Sequence, residues 1–231
     1  EHLFLRWDNL HIGPANMPAE VDVTVQVSLP ADKGEQQGRA HFKLEVSNDL
    51  TYADGLVLNH VYFPYLRLPK LEDAEGARLA TSESMGRLID DPVVNLTEPI
   101  TGLYSGGRFS MQFQAYYGAQ SERGLYMSCN DPHGFIKSFG MEPDSPDNRL
   151  KYYVNFSCWN LKEPLSSYPG YWNPGNDLNQ GGYFYHEFGP FQGDWYDAGS
   201  IYRRWALQQP WAEKGRLIER DDPGNPDTDI P

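Results

Sequence analysis

The chain has 231 residues, with 19 Lys plus Arg against 32 Asp plus Glu, a formal charge of −13, and 39% hydrophobic residues. So acidic a surface repels phosphate backbones, and no apolar run reaches the roughly 20 residues a bilayer-crossing helix needs, so neither nucleic acid nor membrane is an expected partner. Fifteen Tyr, eleven Phe and six Trp supply the bulk for a core and argue against disorder.

The opening Glu1-His2-Leu3-Phe4 has neither an initiator Met nor a signal-like segment, and reads as the start of an excised piece. From Val21 the sequence takes a period of two. Val21, Val23, Val25, Val27 and Leu29 alternate with Asp22, Thr24, Gln26 and Ser28, a strand with one apolar and one polar face. Phe42, Leu44 and Val46 repeat the pattern around Lys43 and Glu45. A strand is expected over 56–63, in which His60 reads as a satisfied strand histidine. Residues 80–90 read as a short helix, and Gly102 to Gly107 as a turn. Phe109, Met111, Phe113 and Ala115 alternate with Ser110, Gln112 and Gln114, and further strands are expected over 124–129, 134–141, 150–158 and 183–188. Breakers fall at Pro30–Gly38, Asn48–Gly55, Asp131–Gly134 and Pro143–Asn148.

The long helix follows Asp194, which can cap it, and Asp197 adds an acid in the first turn, where the helix dipole favours it. Trp195, Ala198, Ile201, Tyr202 and Trp205 form an apolar stripe, Arg203 and Arg204 suit the C-terminal end, and Pro210 follows as a stop. From Glu219 to Pro231 there are five acids, one Arg and three prolines, the composition of a linker. Turn-separated strands and one late helix indicate a mainly β fold, a large antiparallel sandwich. The expected division is a β-sandwich over 1–193, a closing helix packed on it over 194–209, and a linker over 210–231.

Residues 160–182 lack periodicity and concentrate Tyr, Trp, Asn, Asp and Gly. Flat rings can stack on a pyranose while amide and carboxylate groups bond its hydroxyls. Trp159, Tyr168, Tyr171, Trp172, Asn173 and Asp177 are therefore the candidate glycan contacts; a loop packed back on the sandwich would have the same composition. The turn Asn130-Asp131-Pro132-His133-Gly134 reads as a hairpin, with Asn130, Asp131 and His133 as a polar alternative. No catalytic residue is assigned. The fallback acid/base pair is His186 and Glu187, but strand neighbours point to opposite faces and would need partners from other strands. Cys129 and Cys158 fall on apolar strand faces and fit buried thiols or a cross-strand disulfide. No zinc-type spacing occurs and no metal or other cofactor is expected; loop Asp and Asn could ligate a structural calcium, but no EF-hand spacing supports one. No nucleophile elbow, P-loop or dinucleotide fingerprint is present.

The segment from Gly189 through Gly193-Asp194-Trp195-Tyr196-Asp197-Ala198 to Tyr202-Arg203-Arg204-Trp205-Ala206 resembles one in a group of glycosidase-like proteins distantly similar to endo-α-N-acetylgalactosaminidases. Gly124-Leu125-Tyr126, Asp131-Pro132-His133-Gly134 and Lys137 resemble a hairpin of the same proteins. The resemblance implies a galactose-mutarotase-like supersandwich of roughly fifteen strands, closed by the helix and followed by a (β/α)8 catalytic barrel. It makes this chain the non-catalytic accessory domain of a glycoside hydrolase, with the barrel and a polysaccharide or glycan as partners, working outside the cytoplasm. Two rivals stay open: a stand-alone carbohydrate-binding module, and a mutarotase- or epimerase-like sugar enzyme complete in this chain.

Overall fold

The computed structural model describes residues 2–11, 20–30, 38–48, 60–69, 71, 76–104, 107–144, 149–157, 178–179 and 182–213. Twelve strands among these residues form two antiparallel sheets, the sandwich the alternation predicts. The larger sheet runs β1 (His2–His11), β2 (Glu20–Ser28), β3 (Ala40–Asn48), β12 (Tyr185–Gln192), β9 (Arg123–Asn130), β8 (Phe109–Gly118), β5 (Ala77–Glu83), β6 (Arg87–Asp90). The smaller runs β4 (His60–Arg67), β11 (Arg149–Ser157), β10 (Lys137–Asp144), β7 (Ile100–Tyr104).

The period of two decides which side chains meet between the sheets. Val21, Val25, Leu44 and Val46 are buried from the larger sheet, with Leu79, Tyr116 and Met127 further along it. Phe139, Met141, Tyr152, Val154 and Phe156 face them from the smaller sheet. Each such side chain contributes about 1.5–3 kcal/mol of transfer free energy, which makes this interface the main source of stability. The smaller sheet covers only the middle of the larger one. Phe63 and Phe156 lie against His186 of β12, and Phe139 against Phe109 of β8. β1 projects past this cover, so Leu3, Leu5 and Trp7, registered opposite Val27, Val25 and Val23, stay exposed.

The other face of the larger sheet carries a second cluster, Phe113, Ala115, Tyr117, Tyr126 and Phe191, covered by helix α2 (Trp195–Ala206). Ala198 and Tyr202 of α2 are buried there, and the Tyr202 ring stacks on Phe113 at 5.3 Å. The Asp194 carboxylate accepts from Tyr196 N at 2.7 Å while Asp197 accepts from Asp194 N at 3.0 Å, a reciprocal cap that fixes where the helix starts. Gly193 has φ +109°, and a Cβ there would stand 2.0 Å from Asp197 Oδ2, so only glycine fits before the cap.

Several expectations need correction. Residues 80–90 are the β5–β6 hairpin, not a helix. The turn uses left-handed Ser84 and Gly86, and β5 is held by β6 on one side and β8 on the other, which outweighs local helix propensity. Gly102 lies inside β7, opposite Phe139, not in a turn. Pro143 lies inside β10, beyond the end of β7, where its missing N–H deprives no strand. Trp195 is 53% exposed: at the first helical position it overhangs the sheet beside Leu88, Met111 and Phe113 and leaves the buried stripe. Pro210 ends α2 but opens a short helix, α3 (Pro210–Glu213).

Candidate functional site

The His186–Glu187 pair divides as strand geometry requires. His186 points between the sheets, 1% exposed, edge-on to Phe63, Phe156 and Phe184 at 5.4–6.1 Å. Burial, reinforced by the Lys137 charge, holds its pKa down to about 3, so the ring is neutral near pH 7. Neither ring nitrogen has a hydrogen-bond partner among the described residues. A group so enclosed cannot meet a substrate.

Glu187 points to the opposite face, into a polar row that crosses β3, β12 and β9. It lies opposite His41 on one side and Ser128 on the other, with Tyr185 opposite Asn130 in the next row. Glu187 Oε1 accepts from Arg39 Nε at 2.5 Å, and Oε2 accepts from Asn130 Nδ2 at 3.1 Å. Asn130 Oδ1 in turn accepts from Ser128 Oγ at 2.9 Å. Arg39 and Glu187 are 2% and 4% exposed, so both charges are dry and must be paired. Gly189 makes room for this: a Cβ there would lie 2.6 Å from Arg39 Cα and 2.9 Å from its Cγ. The guanidinium also sits 5.8 Å over the Tyr126 ring. His41 is half-buried against Tyr185, ring centroids 4.4 Å apart. Burial lowers its pKa, opposed by Glu187 and helped by Arg39 and Lys43.

A cavity of about 520 Å³ adjoins this row, between the β9–β12 face and α2. Arg39, Arg123 and Arg204 line it with Asp197, Ser200 and Ile201. Guanidinium forks of this kind can receive a carboxylate or another oxyanion.

The 128–137 segment is not the expected hairpin: β9 belongs to the larger sheet and β10 to the smaller, so it is a turn that crosses between the sheets, and it is tied from within. Asp131 accepts from the His133 and Phe135 backbone N–H groups at 2.9 and 2.7 Å, and from Lys137 Nζ at 2.7 Å. Lys137 is fully buried, also donates to Gln112 Oε1 at 2.9 Å, and lies 5.0 Å over the Tyr104 ring. Asn130 turns away toward Glu187, and His133 is exposed against Tyr183 and Phe135, so the three polar residues do not converge. Cys129 is a buried free thiol whose pKa burial pushes up to about 12. His60 is exposed on β4, its Nδ1 3.4 Å from Asn155 Oδ1. Trp159, Tyr168, Tyr171, Trp172, Asn173, Asp177 and Cys158 lie outside the described residues.

The sequence reading missed Arg39, His41 and Lys137. The last was named only within the resemblance motif, though it also stands as a lone cation among Phe135, Ile136 and Phe139. Among the described residues no three His, Cys, Asp or Glu side chains come together to hold a metal ion. No protein-family model matches the chain, no curated protein matches its sequence, and no solved structure matches its fold.

Proposed function

We propose that this chain is a non-catalytic β-sandwich module of a carbohydrate-active enzyme, a glycoside hydrolase whose catalytic (β/α)8 barrel would follow the closing helix and which acts on glycan outside the cytoplasm. The observation that carries the non-catalytic half of the reading is the state of Glu187. Its two carboxylate oxygens are committed to Arg39 and Asn130, and its sequence neighbour His186 is enclosed on the other face. The motif residues behind the resemblance are spent on structure as well: Gly193, Asp194 and Asp197 build a helix cap, and Asp131 and Lys137 tie the turn that carries the chain from the larger sheet to the smaller. The carbohydrate half rests on the resemblance and on the aromatic composition. The test is to assay the purified chain, and any longer protein that contains it, for hydrolysis of a polysaccharide panel. Turnover by the longer protein alone is the expected result.

A second reading, a complete mutarotase-like enzyme, is favoured by one feature: His41 stands directly across from Glu187, so a base from a neighbouring strand is present after all. It predicts that the chain alone accelerates anomer exchange of a free hexose and that His41→Ala abolishes this. A third reading, a stand-alone carbohydrate-binding module, predicts binding without hydrolysis in every form of the protein.

A further inference from the structure

The outer face of the smaller sheet carries a group of aromatic rings that neither the helix nor the Glu187 row involves. Tyr62 and Tyr65 are three residues apart on β4, a spacing that places side chains on opposite faces of a regular strand. Here they share the outer face. Tyr62 is registered with Asn155 and Tyr65 with Tyr153, so β4 spends three residues where β11 spends two, and the irregularity re-aims Tyr65 outward. Val61, Phe63 and Leu66 still reach the core.

The rings are ordered against one another. Tyr65 and Tyr153 are nearly parallel, 10° apart with centroids at 5.7 Å, and Tyr62 meets Tyr153 edge-on at 5.6 Å. Tyr153 is half-buried across Gly140: a Cβ at 140 would lie 2.0 Å from its Cζ, so the glycine leaves the room the ring occupies. Tyr62 and Tyr65 remain 49% and 52% exposed. Polar groups flank them. Tyr65 Oη donates to Glu142 Oε1 at 3.4 Å, Lys151 Nζ lies 3.7 Å from the same oxygen, and His60 stacks beside Tyr62 at 6.0 Å.

We propose that this tyrosine face is a glycan-binding platform that takes neutral pyranose units. It deepens the carbohydrate reading given above and rests on it. A pyranose has a C–H face and a rim of hydroxyls, which match exposed rings bordered by carboxylate, ammonium and imidazole groups. A protein partner is the poorer fit, because of the residues registered on this face only Leu103 has an aliphatic side chain, and docking surfaces are apolar at their centre.

The experiment is affinity electrophoresis of the chain through gels containing xylan, galactomannan, β-glucan or starch, followed by isothermal titration with oligosaccharides of whichever retards it. Wild type should be retarded by at least one. Tyr65→Ala and Tyr62→Ala, both at exposed positions, should each weaken binding about three- to tenfold with the melting temperature unchanged. Tyr65→Phe should retain most of it, since it keeps the ring. Binding that survives both alanine substitutions overturns the platform and leaves the module reading intact, with glycan held elsewhere. No retardation by any of the four polysaccharides also overturns it, whereas the module reading is decided separately by turnover. A change in oligomeric state in the alanine variants, seen by light scattering with glycan affinity unaltered, would make the face a contact between copies and overturn the proposal.

Discussion

Replacing Glu187 with alanine separates a structural carboxylate from a catalytic one. The substitution removes the carboxylate that pairs with Arg39 Nε, in a guanidinium residue 2% exposed, and it takes away the acceptor of the Asn130 amide, 1% exposed. Removing one member of a buried ion pair costs about 3–5 kcal/mol, because the remaining charge stays dry and uncompensated. The lost amide acceptor belongs to the same network and is included in that figure rather than added to it. Against a typical total of about 5–15 kcal/mol, the variant forfeits a large part of its stability. For a chain of this size each kcal/mol moves the melting temperature by roughly 2–4 °C, so a fall of roughly 6–20 °C is expected. The double variant Arg39→Met/Glu187→Leu, which removes both charges, should recover most of the loss. Thermal denaturation followed by circular dichroism, with urea titration for the free energy, measures both. A Glu187→Ala protein melting within a degree of wild type would show that the pair does not hold β3 to β12, and would return Glu187 to the list of candidate acids.

Acid stability follows from His186. The folded ring has its pKa lowered to about 3 against an unfolded value of 6.5, so between these values the unfolded chain binds the extra proton. Stability therefore falls as pH drops from about 6.5 toward 3, by up to about 1.4 kcal/mol per unit. His186→Phe should flatten that limb and leave the protein at least as stable at pH 7; an unchanged pH profile would place the loss at other groups. Gly193→Ala should cost about 2 kcal/mol or more in urea denaturation, since it forces a side chain into a left-handed position and onto the Asp197 carboxylate. Cys129, with its thiol pushed up to about 12 and no exposure, should resist iodoacetamide in the native protein and react only in denaturant, as read by mass spectrometry of its peptide. Labelling at the native state would contradict its burial.

The fold was legible where one face of a strand is wet. Val21 and Val25, and Leu44 and Val46, announce themselves by alternating with polar neighbours, and the Asp194 cap and Ala198–Tyr202 spacing mark the helix; in β8 the expected single apolar face is split, with Phe109 between the sheets, Phe113 under α2, and Gln112 and Gln114 buried. The pattern failed for Ala77–Glu83, whose residues are buried or half-buried on both faces because β5 lies between two strands with cover above and below, so no polar alternation survives to reveal it. The site was less legible for a different reason. The opposition of His186 and Glu187 follows from the pleat alone, but Arg39 just before β3, His41 on β3 and Asn130 on β9 reach Glu187 from 57 to 148 residues away in the chain, and only the strand order brings them there. The tyrosine face depends on an extra residue in β4, a register event that periodicity cannot anticipate.

The central claim is that this sandwich supports glycan chemistry without performing it. The most direct measurement is turnover by the purified 231-residue chain, with hydrolysis followed by reducing-sugar release from the four polysaccharides and anomer exchange of free hexoses by polarimetry. The account predicts rates equal to the uncatalysed background for wild type. Turnover above background that Glu187→Gln or His41→Ala abolishes, in protein that remains folded, would contradict it and make the row across β3, β12 and β9 an active site.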